Sequence, residues 1–250
     1  MAGGAAILLT GVAAVPAGAA EGGVSFSRVS VNGGKPIVVG VTEEVEVPAS
    51  FRMTTKLKYD GGPTVYPYRG NATSGDTPQT AIITSDCEVV DKAKGICDFD
   101  EWLYIDPRHI DFGNEDAGTW KTAGRVYLAG DAYDTDDLNL PLQIKRATRV
   151  TANASPEPVT AGRTITVTGK ITRANWDTHT YQAYAGRTVS LQFKAAGSSS
   201  YTTVKKVTSS STGSLKATAK ATRSGTWRWA FYGNSVSGSK SSNGDYVVVK

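Results

Sequence analysis

The sequence predicts an all-β chain of two tandem β-sandwiches, and three observations carry that prediction. Val, Thr, Ser and Gly dominate a chain of 250 residues with 40% apolar content, and β-branched residues bounded by Gly and Pro favour short strands and turns over helices. Apolar residues alternate with polar ones in run after run, the period of a half-buried strand. The chain also repeats itself once. Ser27-Arg28-Val29-Ser30-Val31-Asn32 recurs as Thr148-Arg149-Val150-Thr151-Ala152-Asn153, and Gly118-Thr119-Trp120-Lys121 recurs as Gly225-Thr226-Trp227-Arg228. A unit that opens on a strand, carries Gly-Thr-Trp near its penultimate strand and closes on a terminal strand has the size of an immunoglobulin-like domain, and two such units fit the length.

In the second unit the runs are Thr164–Thr168, Val189–Phe193, Tyr201–Val207 and Leu215–Ala221, separated by Gly or Ser turns. Trp227-Arg228-Trp229-Ala230-Phe231 places two Trp and a Phe on one face, as a sandwich core strand does. The first unit shows the same alternation at Val29/Val31, Val45/Val47, Phe51/Met53, Ala81–Ile83, Leu103/Ile105 and Val126/Leu128. Residues 59–79, rich in Gly, Pro, Tyr and Thr, are expected to form a long loop. The units divide into 22–144 and 145–250, with the boundary near Ile144 to Thr148. With almost no spacer there, restricted swing is expected.

Before them stands MAGGAAILLTGVAAVPAGAA, an uncharged apolar run ending in Ala17-Gly18-Ala19, the small-x-small form of a cleavage site. Residues 1–20 are expected to be a signal peptide, although Lys and Arg are absent before Arg28. Gly, Thr and Pro16 interrupt a run already too short to span a bilayer. A secreted, extracellular location follows, and the cysteines agree with it. Cys87 and Cys97, the only two, flank a hairpin turning at Asp91 to Gly95 and are expected to form a local disulfide, contributing roughly 2–3 kcal/mol. A metal site is the weaker alternative, since no second Cys or His pair completes a tetrahedral set.

Charge divides at the same boundary. Residues 22–144 carry 11 Lys and Arg against 19 Asp and Glu, a net of −8, while residues 145–250 carry 16 against 3, a net of +13. The second unit should attract polyanions at low salt, through Lys194, Lys205, Lys206, Lys216, Lys220 and Arg223 on outward positions of its strands. The bland alternative is a polar, edge-protecting outer face. Asp131, Asp134, Asp136 and Asp137, expected in a loop between the last two strands of the first unit, offer hard oxygen ligands for calcium, or a solvated acidic turn. Asp98, Asp100, Glu101 and Asp106 form a second acidic group. In the segment 175–184, Trp176, His179, Tyr181 and Tyr184 beside Asn, Asp and Gln supply stacking faces and hydrogen-bonding arms for a sugar, or fold beneath the edge of the core.

No catalytic residue is assigned. His109 and His179, the only two histidines, lie outside any nucleophile motif, and no G-x-S-x-G, H-E-x-x-H, P-loop or dinucleotide fingerprint occurs. RNP-type and Gly-x-x-Gly nucleic-acid motifs are likewise absent.

Asn153–Val159, Thr166–Trp176 and Val189–Lys194, together with Val29–Val38, resemble a group of secreted actinobacterial proteins, common in streptomycetes, that carry tandem immunoglobulin-like domains and are mostly described as hypothetical or calcium-binding-like. The resemblance implies fold and secretion and supplies no site residues. The function expected is a non-catalytic secreted binding protein acting on cell-wall polymer, glycan or another polyanionic surface. A calcium-dependent adhesive module and an accessory or inhibitor of a secreted enzyme are the alternatives, calcium being the one cofactor in view.

Overall fold

The computed structural model describes residues 23–109, 112–130 and 132–250; the expected signal peptide and Asp131 lie outside the described residues. All regular structure is β apart from two single-turn 3-10 segments. The N-terminal half contains β1 (Val24–Val31), β2 (Ile37–Val39), β3 (Val45–Thr55), β4 (Thr64–Tyr68), β5 (Ala81–Thr84), β6 (Glu88–Asp91), β7 (Ile96–Ile105), β8 (Gly118–Tyr127) and β9 (Tyr133–Arg146). The C-terminal half contains β10 (Thr148–Val150), β11 (Asn153–Ser155), β12 (Thr164–Asn175), β13 (Thr180–Ala183), β14 (Thr188–Ala195), β15 (Thr202–Thr208), β16 (Ser214–Lys220), β17 (Gly225–Phe231), β18 (Lys240–Ser241) and β19 (Asp245–Val247).

Strand order makes the fold immunoglobulin-like. In the N-terminal half, β1-β3-β7-β5 faces β9-β8-β4, and β2 joins β9 in parallel. This is the A-B-E-D over G-F-C arrangement of constant-type immunoglobulin domains. In the C-terminal half, β12 carries β10, β11 and β16 in one sheet, and the order β15-β14-β17 with β18 and β19 forms the other. One edge strand has changed sheets, giving A-B-E over C′-C-F-G.

Each pair of sheets encloses its own core, and alternation decides what enters it. Val47, Ala49, Phe51 and Met53 point inward from β3, and Phe51 stacks on Phe99 of β7 at 5.2 Å between ring centroids. The second core gathers Ile165, Val167, Val189, Leu191, Trp227, Trp229 and Phe231. Gly169 permits its closest packing. A Cβ there would lie 2.2 Å from the Thr151 carbonyl and 2.7 Å from the Trp229 indole, which donates to the Thr168 carbonyl at 3.1 Å.

The two repeated motifs occupy equivalent places. The Arg-Val copies lie in β1 and β10, and the Gly-Thr-Trp copies open β8 and β17, each an interior strand with a buried Trp120 or Trp227. The expected loop over 59–79 is corrected in its first part, where β4 pairs with β8 and buries Val65, Tyr66 and Tyr68. Pro67 sits within that strand because β4 is an edge and pairs on one side only, so a missing N–H removes no ladder bond.

The halves meet through hydrogen bonds as well as chain continuity. Ala147 donates to the Val39 carbonyl at 2.8 Å, and Ala174 donates to the Ala147 carbonyl at 2.8 Å. The Arg146 guanidinium, 9% exposed, donates from Nε to the Ala174 carbonyl at 2.6 Å. Burial and the neighbouring Arg173 pull its pKa down to about 10, so it remains charged at neutral pH.

Candidate functional site

The most developed polar arrangement lies on the sheet built from β14, β15 and β17. Val189 and Leu191 of β14 face the core, as do Trp227, Trp229 and Phe231 of β17. The intervening Gln192 and Arg228 therefore lie on the side of the sheet away from the core, directly opposite each other in the antiparallel register, with Gln192 buried beneath its neighbours and Arg228 half-buried. Arg228 donates from Nε to Gln192 Oε1 at 2.8 Å, and Gln192 donates from Nε2 to the Tyr232 hydroxyl at 2.9 Å. The guanidinium carbon lies 3.6 Å from the centroid of the Tyr201 ring, and Lys194 Nζ lies 5.1 Å from the same ring. Such stacking contributes about 0.5–2 kcal/mol while leaving the in-plane donors of the guanidinium open.

A second set of stacked arginines surrounds the start of the C-terminal half. Arg149 covers Tyr181 at 3.6 Å, and Arg173 and Arg187 lie 4.2 and 5.0 Å from the centroid of Tyr184. The Tyr184 hydroxyl is held by Ser237 at 3.0 Å and by the Asn234 amide at 2.9 Å. Burial pushes the pKa of this phenol up. Those two bonds and the two guanidinium charges outweigh it, so the net shift is downward.

Among the described residues no side chain forms an ion pair with any of these cations. Among the described residues all four ion pairs fall in the N-terminal half: Arg52–Asp98, Arg69–Asp116, Lys94–Asp91 and Arg108–Asp106. Two of the three carboxylates in the C-terminal half are engaged elsewhere. Asp177 accepts from Asn114, and Asp245 accepts from the Ala154 N–H at 2.6 Å.

The six cationic residues expected to act together are divided between two sheets. Lys194, Lys205 and Lys206 belong to β14 and β15, whereas Lys216 and Lys220 lie on β16, paired with β12 in the opposite sheet. Arg223 is exposed between β16 and β17, its guanidinium 5.9 Å from the Phe193 ring centroid. Arg228, Tyr201 and Gln192 were not among the expected site residues. The signal for Arg228 was present, since a residue between two core tryptophans in a strand has to face outward.

The aromatic segment is split by the junction. The Trp176 indole is fully buried, 4.4 Å from the Phe112 ring centroid, and donates to the Gly40 carbonyl at 2.8 Å. Asn114 clasps the same turn, accepting from the Trp176 N–H at 3.1 Å and donating to Asn175 Oδ1 at 2.8 Å. Trp176 is thus spent on the core of the N-terminal half. Tyr184 is buried as well, Tyr181 carries Arg149, and His179 is exposed at a turn with φ +50°.

The described acidic residues of the calcium group are in a strand and not in the expected loop. Asp134, Asp136 and Asp137 lie in β9, paired with Val126, Gly124 and Ala123 of β8. The long β8–β9 pairing overrides the low strand propensity of Asp. Asp136 accepts from the Phe26 N–H at 3.4 Å, and Asp137 accepts from the Tyr68 hydroxyl and from the Asn139 N–H. Burial, with Asp134 and Asp137 nearby, raises Asp136 above the usual carboxylate range despite the Phe26 N–H. Among the described residues no three His, Cys, Asp or Glu side chains converge as a metal site. The second acidic group is also dispersed: Asp98 pairs with Arg52, Asp106 with Arg108, and Glu101 is buried in the core. Cys87 and Cys97 form the expected disulfide across the β6–β7 hairpin.

No protein-family model matches the chain, and no curated protein matches it. Among solved structures it is similar to the D00-D0 domain of intimin, at 12% identity over 88% of this chain and 99% of that one, with a TM-score of 0.28. It is also similar to FdeC, an Escherichia coli adhesin, at 18% identity over 94% and 66% of the two chains with a TM-score of 0.29. The ectodomain of mouse nectin-like molecule 4 gives 12% identity over 88% and 63%, with a TM-score of 0.26. At these values the similarities carry nothing about what this chain binds. No helix among the described residues is long and apolar enough to cross a membrane.

Proposed function

We propose that the chain is an exported, non-catalytic interaction protein of two immunoglobulin-like domains, 22–144 and 145–250, whose basic second domain associates with polyanionic surfaces such as cell-wall polymers or acidic glycans. The observation that carries this reading is the state of the positive charge in the C-terminal half. From Thr148 onward fourteen Lys and Arg face three acids, no ion pair forms there among the described residues, and Arg149, Arg173, Arg187 and Arg228 are oriented on tyrosine rings. Fixed, unneutralised cations attract a polyanion and do not have to leave a carboxylate in order to bind it. The disulfide supports an extracellular setting. Kinship with the actinobacterial secreted group belongs to the same proposal.

Retention on purified bacterial cell walls tests the reading. The full chain is expected to bind at low salt and to elute progressively as ionic strength rises toward 1 M, where the screening length falls to about 3 Å. Retention that is absent at low salt, or indifferent to added salt, overturns it.

A further inference from the structure

The basic half has two outward sheet faces, and they are not equivalent. On β16, Lys216 and Lys220 stand opposite Thr168 and Thr164 as exposed, unstacked cations. On β14 and β17, a single chain of contacts runs from Tyr201 through Arg228 and Gln192 to Tyr232. Three features set that second face apart. Arg228 is held twice, by its ring and by Gln192, and its Nε is consumed, which leaves the two Nη groups as a parallel donor pair of the spacing a carboxylate takes. Tyr232 and Tyr246, 68% and 49% exposed, stand beside it: Tyr232 through its bond to Gln192, and Tyr246 opposite Thr226, which shares the outward side of β17 with Arg228. Lys206, opposite Ser190, and Lys194 add diffuse positive charge on the same side.

Resting on the polyanion reading above, we infer that this face of β14 and β17 is the seat of a linear polysaccharide of carboxylated sugars, with Arg228 receiving a carboxylate and the exposed tyrosines receiving sugar rings. A polymer whose charge is phosphate alone is served by exposed lysines, as on β16, and leaves the tyrosine rings idle. A sugar ring presents a C–H face that stacks on an aromatic ring, and a uronate adds a planar carboxylate that matches a guanidinium fork. Orientation of Arg228 before binding reduces the side-chain entropy lost when the ligand arrives.

The test compares the full chain with three variants, using polygalacturonate and inorganic polyphosphate as probes at moderate salt, with a thermal melt to confirm that each variant folds. R228K keeps the charge but loses the fork and the stack, and it is expected to weaken polygalacturonate binding at least tenfold while leaving polyphosphate binding within about twofold. Y232A removes an exposed ring beyond the end of β17 and is expected to weaken polygalacturonate about threefold to tenfold. K216A/K220A removes charge from the opposite face and is expected to leave polygalacturonate within about threefold. If K216A/K220A weakens polygalacturonate as much as R228K does, binding is diffuse: the seat is refuted and the polyanion reading survives. If R228K weakens both probes equally, the preference for carboxylated sugar is refuted. If the unaltered chain binds neither probe even at low salt, the polyanion reading itself fails.

Discussion

The two halves share a repeat and both stack arginine on aromatic rings, Arg69 on Trp120 and Arg125 on Tyr66 in the first, yet among the described residues only the first also brings arginine to carboxylates. In the N-terminal half Arg52, Arg69 and Arg108 each reach a carboxylate, with Arg52 donating to both oxygens of Asp98 at 2.6 and 2.8 Å. In the C-terminal half Arg149, Arg173, Arg187 and Arg228 lie over tyrosine rings. The difference has a chemical consequence. A carboxylate occupies the in-plane N–H donors of a guanidinium, while a ring occupies only its face. Stacked arginines are positioned and still able to donate. Among the described residues, one half thereby pairs four of its cations with acids, and the other leaves its cations available.

The largest expected effect comes from breaking the contact that lets the halves be compared as one body. Trp176 belongs by sequence to the second repeat, yet it packs into the core of the first beside Phe112. Trp176→Ala removes the largest side chain at the junction and is expected to destabilise the chain by about 3–5 kcal/mol. Calorimetry should then resolve two transitions where the unaltered chain gives one. A single transition shifted only slightly would mean that the halves are coupled by the backbone bonds at Ala147 and Ala174 instead.

That side chain also marks where the sequence ceased to be legible. The repeat and the period-two alternation located both Gly-Thr-Trp strands and the inward faces of Trp227, Trp229 and Phe231, because each is a local pattern. The Cys87–Cys97 pairing followed from a hairpin with obvious turn residues. Trp176 was read as a stacking residue or an edge-of-core residue of its own unit. Its partners, Gly40 and Phe112, are more than sixty residues away, and periodicity carries no information at that range. β4 escaped for another reason. Pro67 and the surrounding Gly and Thr residues resemble a loop, and only its edge position makes the strand acceptable. Alternation puts Arg228 on the outward side, but its ring comes from Tyr201, just before β15, and its amide from β14, through a sheet order that the sequence does not display.

A second, smaller contrast is in the cores. Glu101, with no solvent exposure, projects between Phe99 and Leu103 of β7, accepts from the Val65 N–H at 3.1 Å and from the Thr84 hydroxyl at 3.1 Å, and so links the edge strands β4 and β5. No buried carboxylate is found among the described residues of the C-terminal half. Burial pushes the Glu101 pKa up to about 7 from an ordinary 4.5, against the opposing pull of its hydrogen bonds. The folded state therefore holds this proton more tightly than the unfolded chain does. The group costs nothing below about pH 4.5, where both states are protonated, and its cost accumulates as pH rises to about 7, reaching about 3 kcal/mol. Glu101→Gln should match the unaltered chain at pH 4.5 and exceed its unfolding free energy by an amount of that order at pH 8, as measured in urea. Equal differences at the two pH values would show that Glu101 does not titrate in this range.

The smallest expected effect tests the comparison of arginines directly. Asp98→Asn removes the charge of a partly exposed ion pair, so the loss should be at most about 1 kcal/mol and should shrink as salt is raised. Tyr181→Leu removes the ring beneath Arg149, and a loss of about 0.5–1 kcal/mol is expected. At a separation of 3.6 Å little salt enters between guanidinium and ring, so this loss should persist at 1 M salt. The released Arg149 should then behave as an ordinary surface cation. If both losses fade together as salt increases, carboxylate and ring hold their arginines by the same screened electrostatics. If only the Asp98 loss fades, the C-terminal half has a salt-resistant way of orienting charge whose partner in solution remains salt-sensitive. An oriented cation binds reversibly under that condition, because ionic strength then dissociates the ligand without disordering the site.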